Sequence, residues 1–185
     1  MTSEATRLVT RATQFAAERH ADQRRKGRRG GPYFNHLAEV AELLSEATEG
    51  EDAPLVAAGL LHDTIEDTKT SLQELQNLFG ADVAALVMEV TDDKSLPKLE
   101  RKRLQIVNAP KKSRRAKLLK LADSTSNLRA LAIDPPADWD TDRVLDYVVW
   151  AEQVIGHCRG LNAKLEQAFD AAVSGARAAV KSRVA

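Results

Sequence analysis

The chain is short of several things that would mark common protein classes. It has a single cysteine, Cys158, in 185 residues. That excludes an internal disulfide and a zinc knuckle, and it fits a reducing compartment. It has no surplus of one charge, with 27 basic residues against 27 acidic ones. A general nucleic-acid or membrane-surface binder would carry excess Lys and Arg, so neither partner is expected. It has no apolar run near the ~18 residues that a bilayer-spanning helix needs, and no N-terminal apolar segment of the secretory kind. A soluble, cytoplasmic protein is expected. Internal repeats, low-complexity stretches and alternating strand patterns are also missing. With 43% hydrophobic residues, a real core can form at this length. One domain over residues 1–185 is expected, with its core over about 5–175.

What is present is helical periodicity. Ala5, Leu8, Val9, Ala12, Phe15 and Ala16 recur at threes and fours, which predicts an amphipathic helix over 4–21. Glycine and proline make Arg24 to Phe34 a loop. Asn35 is read as the N-cap of a helix from His36 to about Ala47. Asp52 caps the next helix, with Pro54 in its tolerant first turn. Ser71 and Glu74 form a capping box for a short helix ending at Gly80. Further helices are predicted over 81–91, 98–107 and 113–132, and from Asp140 or Thr141 onward with a break near Gly160. The fold class is all-α, a single helical bundle.

The chain is organised around Gly59-Leu60-Leu61-His62-Asp63-Thr64-Ile65-Glu66-Asp67. Leu55 to Leu61 are apolar or small on every side, the mark of a buried helix. At about 100° per residue, His62, Asp63, Glu66 and Asp67 fall within an arc of roughly 140°. Four ionisable groups thus leave a core together. Buried acids without partners cost several kcal/mol each, and a cation beside them removes that penalty. One helix face cannot surround an ion, so other elements must contribute. His36 stands at a helix start, where the dipole disfavours imidazolium and leaves the neutral ring that a metal requires. Asp123 is an acid inside the apolar run Leu118-Leu119-Lys120-Leu121-Ala122, and Asn127 shares its face. His36, His62, Asp63 and Asp123 would supply two nitrogens and two carboxylates. That set suits Mn²⁺ or Fe²⁺, with Zn²⁺ also possible.

The order His, then His-Asp, then Asp resembles the HD-domain metal phosphohydrolases. The longer text is more specific. Arg25-Lys26, Gly31-Pro32-Tyr33, His36, the stretch from Leu60 to Thr68, Phe79-Gly80, Val90-Thr91, Lys120 to Asp123 and Asn127-Leu128-Arg129 stand in the order seen in alarmone hydrolases. Leu96 to Arg103 and Tyr147 to Ala151 narrow the resemblance to stand-alone small alarmone hydrolases of the Rel/SpoT family, similar to the animal SpoT homologue. It covers roughly residues 5 to 175.

The resemblance implies a Mn²⁺-dependent enzyme that removes the 3′-pyrophosphate of guanosine tetra- or pentaphosphate. It implies His36, His62, Asp63 and Asp123 as metal ligands and Glu66 and Asp67 as the catalytic acidic pair. It implies Arg25, Lys26, Lys98, Asn127, Arg129 and Tyr147 as nucleotide contacts. The chain has no room for the family's synthetase domain. Ser124 departs from the Lys that many relatives carry after the last aspartate, which bears on substrate affinity and not on the ligand.

Two basic clusters fit a polyanionic substrate: five basic residues in six from Arg24 to Arg29, and Lys98, Arg101, Lys102 and Arg103. A 2′-phosphatase acting on NADPH could use the same loop, and a non-catalytic alarmone sensor is the third reading. Lys111, Lys112, Arg114 and Arg115 are read as a solvated stretch. The relative roles of Glu66 and Asp67, and the choice between monomer and homodimer, stay open.

Overall fold

The computed structural model describes residues 2–184. Ten α-helices are found among the described residues: α1 (Ser3–Arg19), α2 (Phe34–Ala47), α3 (Ala53–Leu61), α4 (Thr64–Asp67), α5 (Leu72–Phe79), α6 (Ala81–Val90), α7 (Lys98–Asn108), α8 (Arg114–Ile133), α9 (Thr141–Gly156) and α10 (Ala163–Val184). A 3-10 turn, Ala109–Lys111, joins α7 to α8. Isolated bridges pair Arg24 with Pro32 and Gly27 with Pro136, and no β-strand is found among the described residues. The fold is all-α. No helix among the described residues is long and apolar enough to cross a membrane.

Most starts are set by side-chain caps that satisfy otherwise orphaned N–H groups. Asp52 accepts from the Leu55 amide at 3.1 Å, Ser113 from Ala116 at 3.2 Å and Asp140 from Arg143 at 2.8 Å. Ser71 accepts from Glu74, but the reciprocal half of the capping box is absent, because the Glu74 carboxylate pairs with Arg19 across to α1. Asn35 does not cap α2. That helix begins one residue earlier, at Phe34, with Tyr33 at the cap position and no side-chain cap bond. The Tyr33 hydroxyl is used elsewhere. The Gly160 break is a whole segment, residues 157–162, closed by an Asn162 cap on the Leu165 amide. The basic stretch at the start of α8 is pinned. Arg115 bridges Asp52 and Asp82, and the Lys112 ammonium bonds the Glu89 carbonyl.

Helix α8 packs against α2, α3, α6, α9 and α10. Its Leu119, Leu121 and Leu128 are sealed in a core with Leu37, Leu44, Leu55, Leu61 and Phe169. Each such side chain contributes about 1.5–3 kcal/mol of burial. Helix α3 is buried from Leu55 through Leu61. Gly59 lets α2 approach it, because a Cβ there would come within 2.7 Å of Leu44. The two helices that hold the histidines are therefore fixed against each other by packing.

Candidate metal centre and active-site cleft

The helix of Leu55 to Leu61 does not run on through Asp67 as one cylinder. It stops at Leu61, His62 is its C-cap, and Thr64–Asp67 form a separate turn. The interruption lets the His62 ring fold back. Its Nδ1 lies 2.8 Å from the Gly59 carbonyl oxygen. A carbonyl only accepts, so Nδ1 carries a hydrogen and Nε2 is the nitrogen left to face a proton or a cation. That Nε2 is buried and makes no hydrogen bond, although an Asp63 oxygen lies 3.0 Å away. His36, in the first turn of α2, has Nδ1 2.8 Å from the Ser126 hydroxyl and Nε2 3.4 Å from Asp123 Oδ1. Ligand atoms of His36, His62 and Asp123 all lie within 4.8 Å of one another. Asp63 completes the neighbourhood. Its Oδ2 is 3.8 Å from His36 Nε2 and accepts a 2.6 Å bond from the Tyr33 hydroxyl.

Burial favours the neutral form of His36 and lowers its pKa, more than the nearby Asp123 carboxylate raises it. Burial works the same way on His62, but Asp63 and then Asp123 outweigh it and push that imidazole up to about 9. Both carboxylates resist the upward pull of burial. The imidazoles hold Asp63 well below the usual carboxylate range, and Lys120 together with the imidazoles does so for Asp123. Lys120 is itself buried, with its ammonium 3.3 Å from Asp123 Oδ2. A bare, buried Nε2 facing two carboxylates is a place where positive charge belongs. Two imidazole nitrogens with one or two carboxylates are a donor set for a divalent metal ion, so the residues present fit such a group.

The acidic pair lies beside this centre. Glu66 accepts from the Asp92 amide at 3.2 Å and from Arg101 at 3.4 Å. Burial raises its pKa in spite of these partners. Asp67 is bonded by Lys94 at 2.6 Å, and the same ammonium lies 3.4 Å from Glu66.

A cleft of about 1260 Å³ opens over the centre. The expected contacts Arg25, Lys26, Lys98, Asn127, Arg129 and Tyr147 all line it. Arg25 donates to Asn127 at 3.2 Å, and Asn127 donates to Asp123 Oδ1 at 2.7 Å, so the basic loop is linked to the floor by two bonds. Asp134, after α8, accepts from the Arg29 amide at 3.1 Å. A Cβ on Gly27 would fall 2.1 Å from that carboxylate, so only glycine fits there. Lys102 lies over Trp150, 4.6 Å from its ring centroid, and the Trp150 indole bonds the Lys102 carbonyl at 3.1 Å. Arg129 pairs with Glu39 at 2.9 Å. Ser124 is buried in α8.

Tyr33, Glu39, Ser126, Lys120 and Lys94 had no assigned role in the sequence, and Arg101 was read only as part of a basic cluster, yet each touches a candidate ligand or an acid or stands one bond behind it. Two of them carried a signal: Glu39 is three residues after His36 and Ser126 three after Asp123, on the same helix faces. His20 is buried, stacks on Tyr33 at 5.3 Å and bonds Gln23 at 2.7 Å, so it backs the tyrosine that holds Asp63.

Residues 12–151 match the family described as the HD domain. Over 169 residues the chain is 51% identical to guanosine-3′,5′-bis(diphosphate) 3′-pyrophosphohydrolase MESH1 of Homo sapiens, covering 91% of this chain and 94% of that one. It is 50% identical over 157 residues to the MESH1 protein of Drosophila melanogaster, covering 85% and 88%. A solved structure described as a metazoan ortholog of SpoT that hydrolyzes ppGpp superposes with a TM-score of 0.86 at 47% identity, covering 90% and 94%. The chain belongs to the HD domain family and, within it, to the family of the MESH1 proteins.

Proposed function

We propose that this chain removes the 3′-pyrophosphate of guanosine tetra- or pentaphosphate, giving GDP or GTP and pyrophosphate, in the cytoplasm and as a single HD domain over 1–185. The supporting observation is the convergence of His36, His62 and Asp123 beneath a cation-lined cleft, in a chain about half identical to pyrophosphohydrolases of this name. His36, His62, Asp63 and Asp123 hold the metal, which we take to be Mn²⁺, with Fe²⁺ and Zn²⁺ sharing the donor preference. When bound, such an ion supplies a water acidified to near neutral pH and Lewis-acid polarisation of a phosphoryl oxygen.

Hydrolysis joins a water oxygen to the phosphorus carried by the ribose 3′-oxygen and breaks the P–O bond between them. The ribose alkoxide is a poor leaving group, so it needs a proton as it departs. Glu66, whose carboxyl is held protonated more readily by burial, is the donor in this reading. Asp67 orients the attacking water by accepting one of its hydrogens. Lys94 and Arg101, already bonded to these acids, take up charge on the departing pyrophosphate. Arg25, Lys26 and Lys98 neutralise the remaining phosphates, and Asn127 and Tyr147 border the nucleotide.

The test is turnover of guanosine tetraphosphate, guanosine pentaphosphate and NADPH by chelator-stripped and Mn²⁺-loaded protein. Pyrophosphate release restored by Mn²⁺ is expected. Orthophosphate from NADPH as the dominant product would move the assignment to a 2′-phosphatase. Binding without turnover in any arm would make the protein a sensor.

A further inference from the structure

Two imidazoles face the metal centre, and they are held in different ways. His62 is oriented by a backbone carbonyl. His36 is oriented by side chains alone. Its Nδ1 is 2.8 Å from Ser126 Oγ, and that hydroxyl is 2.6 Å from Glu39 Oε2. A carboxylate only accepts, so the serine hydrogen is committed to Glu39, and the serine oxygen can only accept from His36. The other Glu39 oxygen is taken by the Arg129 guanidinium at 2.9 Å. The chain therefore runs Arg129 to Glu39, Ser126 to Glu39, and His36 to Ser126, with the serine and imidazole Nδ1 hydrogens both accounted for.

The helix register makes this possible. His36 and Glu39 are three apart on α2, and Asp123, Ser126 and Arg129 are three apart on α8. The two helices pack together, so steps of three on one meet steps of three on the other. The Ser126 side chain is fully buried and no longer competes with water.

We propose that Ser126, Glu39 and Arg129 form a positioning relay that fixes His36 as its Nδ1–H tautomer and aims Nε2 at the metal, with Arg129 acting through Glu39 and not on the nucleotide. This rests on the metal-site reading above. Partners behind metal-bound histidines typically set about 10- to 100-fold of metal affinity. Such partners tune the ligand, so they act at the metal-binding step more than at the substrate.

The experiment titrates Mn²⁺ into chelator-stripped wild type, Ser126→Ala, Glu39→Ala, Arg129→Ala and Arg129→Lys by calorimetry. It is paired with nitrogen-15 shifts of the histidine rings in the metal-free proteins and with KM at saturating Mn²⁺. Wild type is expected to bind one ion and to show His36 protonated at Nδ1. Ser126→Ala and Glu39→Ala are expected to weaken Mn²⁺ about tenfold or more and to lose that single tautomer. Arg129→Ala weakens it several-fold with KM unchanged, and Arg129→Lys recovers part of the loss. Arg129 is half-exposed, so its variants remain informative should the Ser126 or Glu39 variants unfold. Unchanged Mn²⁺ affinity in all variants, or a raised KM alone in Arg129→Ala, overturns the relay. Absence of stoichiometric Mn²⁺ binding by wild type would instead overturn the metal-site reading itself.

Discussion

The floor of the cleft is made of side chains that leave buried helices, whereas its rim is made of side chains on loops and on a helix with nothing buried. His36 and His62 are 3% and 5% exposed, and each has its second nitrogen bonded. On the rim, the Lys94 side chain is 48% exposed and sits in the loop between α6 and α7. The difference separates two tasks. A buried floor holds geometry to a fraction of an ångström in low dielectric, which the chemical step needs. An exposed cationic rim attracts and releases a polyanion, which binding needs. Changes on the floor should therefore appear in metal binding and kcat, and changes on the rim in KM.

The largest break expected is on the floor. Asp123→Asn keeps the volume and removes an anionic ligand. Mn²⁺ binding by calorimetry should vanish and turnover should fall about 10³-fold or more, a loss of about 4 kcal/mol of transition-state stabilisation. Retention of both would remove Asp123 from the centre. Next comes Gly27→Val, which forces the basic loop off Asp134. It should lower kcat/KM about 10- to 100-fold while leaving Mn²⁺ affinity as it was. If metal affinity fell with it, floor and rim would not be separable.

A smaller effect is expected from Lys26→Glu. KM for guanosine tetraphosphate should rise about tenfold at low salt, with the gap narrowing as ionic strength rises. An unchanged KM would take Lys26 out of the substrate site. The smallest change is Lys94→Ala. Its ion pairs are exposed enough that the unfolding free energy should change by no more than about 1 kcal/mol, while kcat/KM drops several-fold. A large loss of stability with normal turnover would make Lys94 a structural residue.

Much of the bundle is legible in the sequence because local chemistry decides it. Asp52, Ser113 and Asp140 mark helix starts through bonds to amides three residues on, and the apolar run Leu55 to Leu61 is buried as its composition demands. The errors also have local causes. Asn35 has the right side chain for a cap, but the chain enters α2 helically at Tyr33 and needs none. The arc drawn from His62 to Asp67 assumes an unbroken helix, and the turn at His62–Asp63 interrupts it. For the site, spacing shows which histidines and acids leave helices. It does not show which neighbouring helix faces them. The Tyr33 bond to Asp63, the Ser126 bond to His36 and the Lys94 bond to Asp67 span 30, 90 and 27 residues, so tertiary register alone creates them.

Helix α7 has no buried residue. It is held by polar contacts such as Trp150 to the Lys102 carbonyl and Gln105 to Asp92, with Ile106 against the edge of the core. Its amides should therefore trade hydrogen for deuterium through local opening, far sooner than those of α8, which is locked in the core. A cleft with one wall held at the surface and its floor set in the core should loosen first at α7, with the imidazoles beneath staying in place.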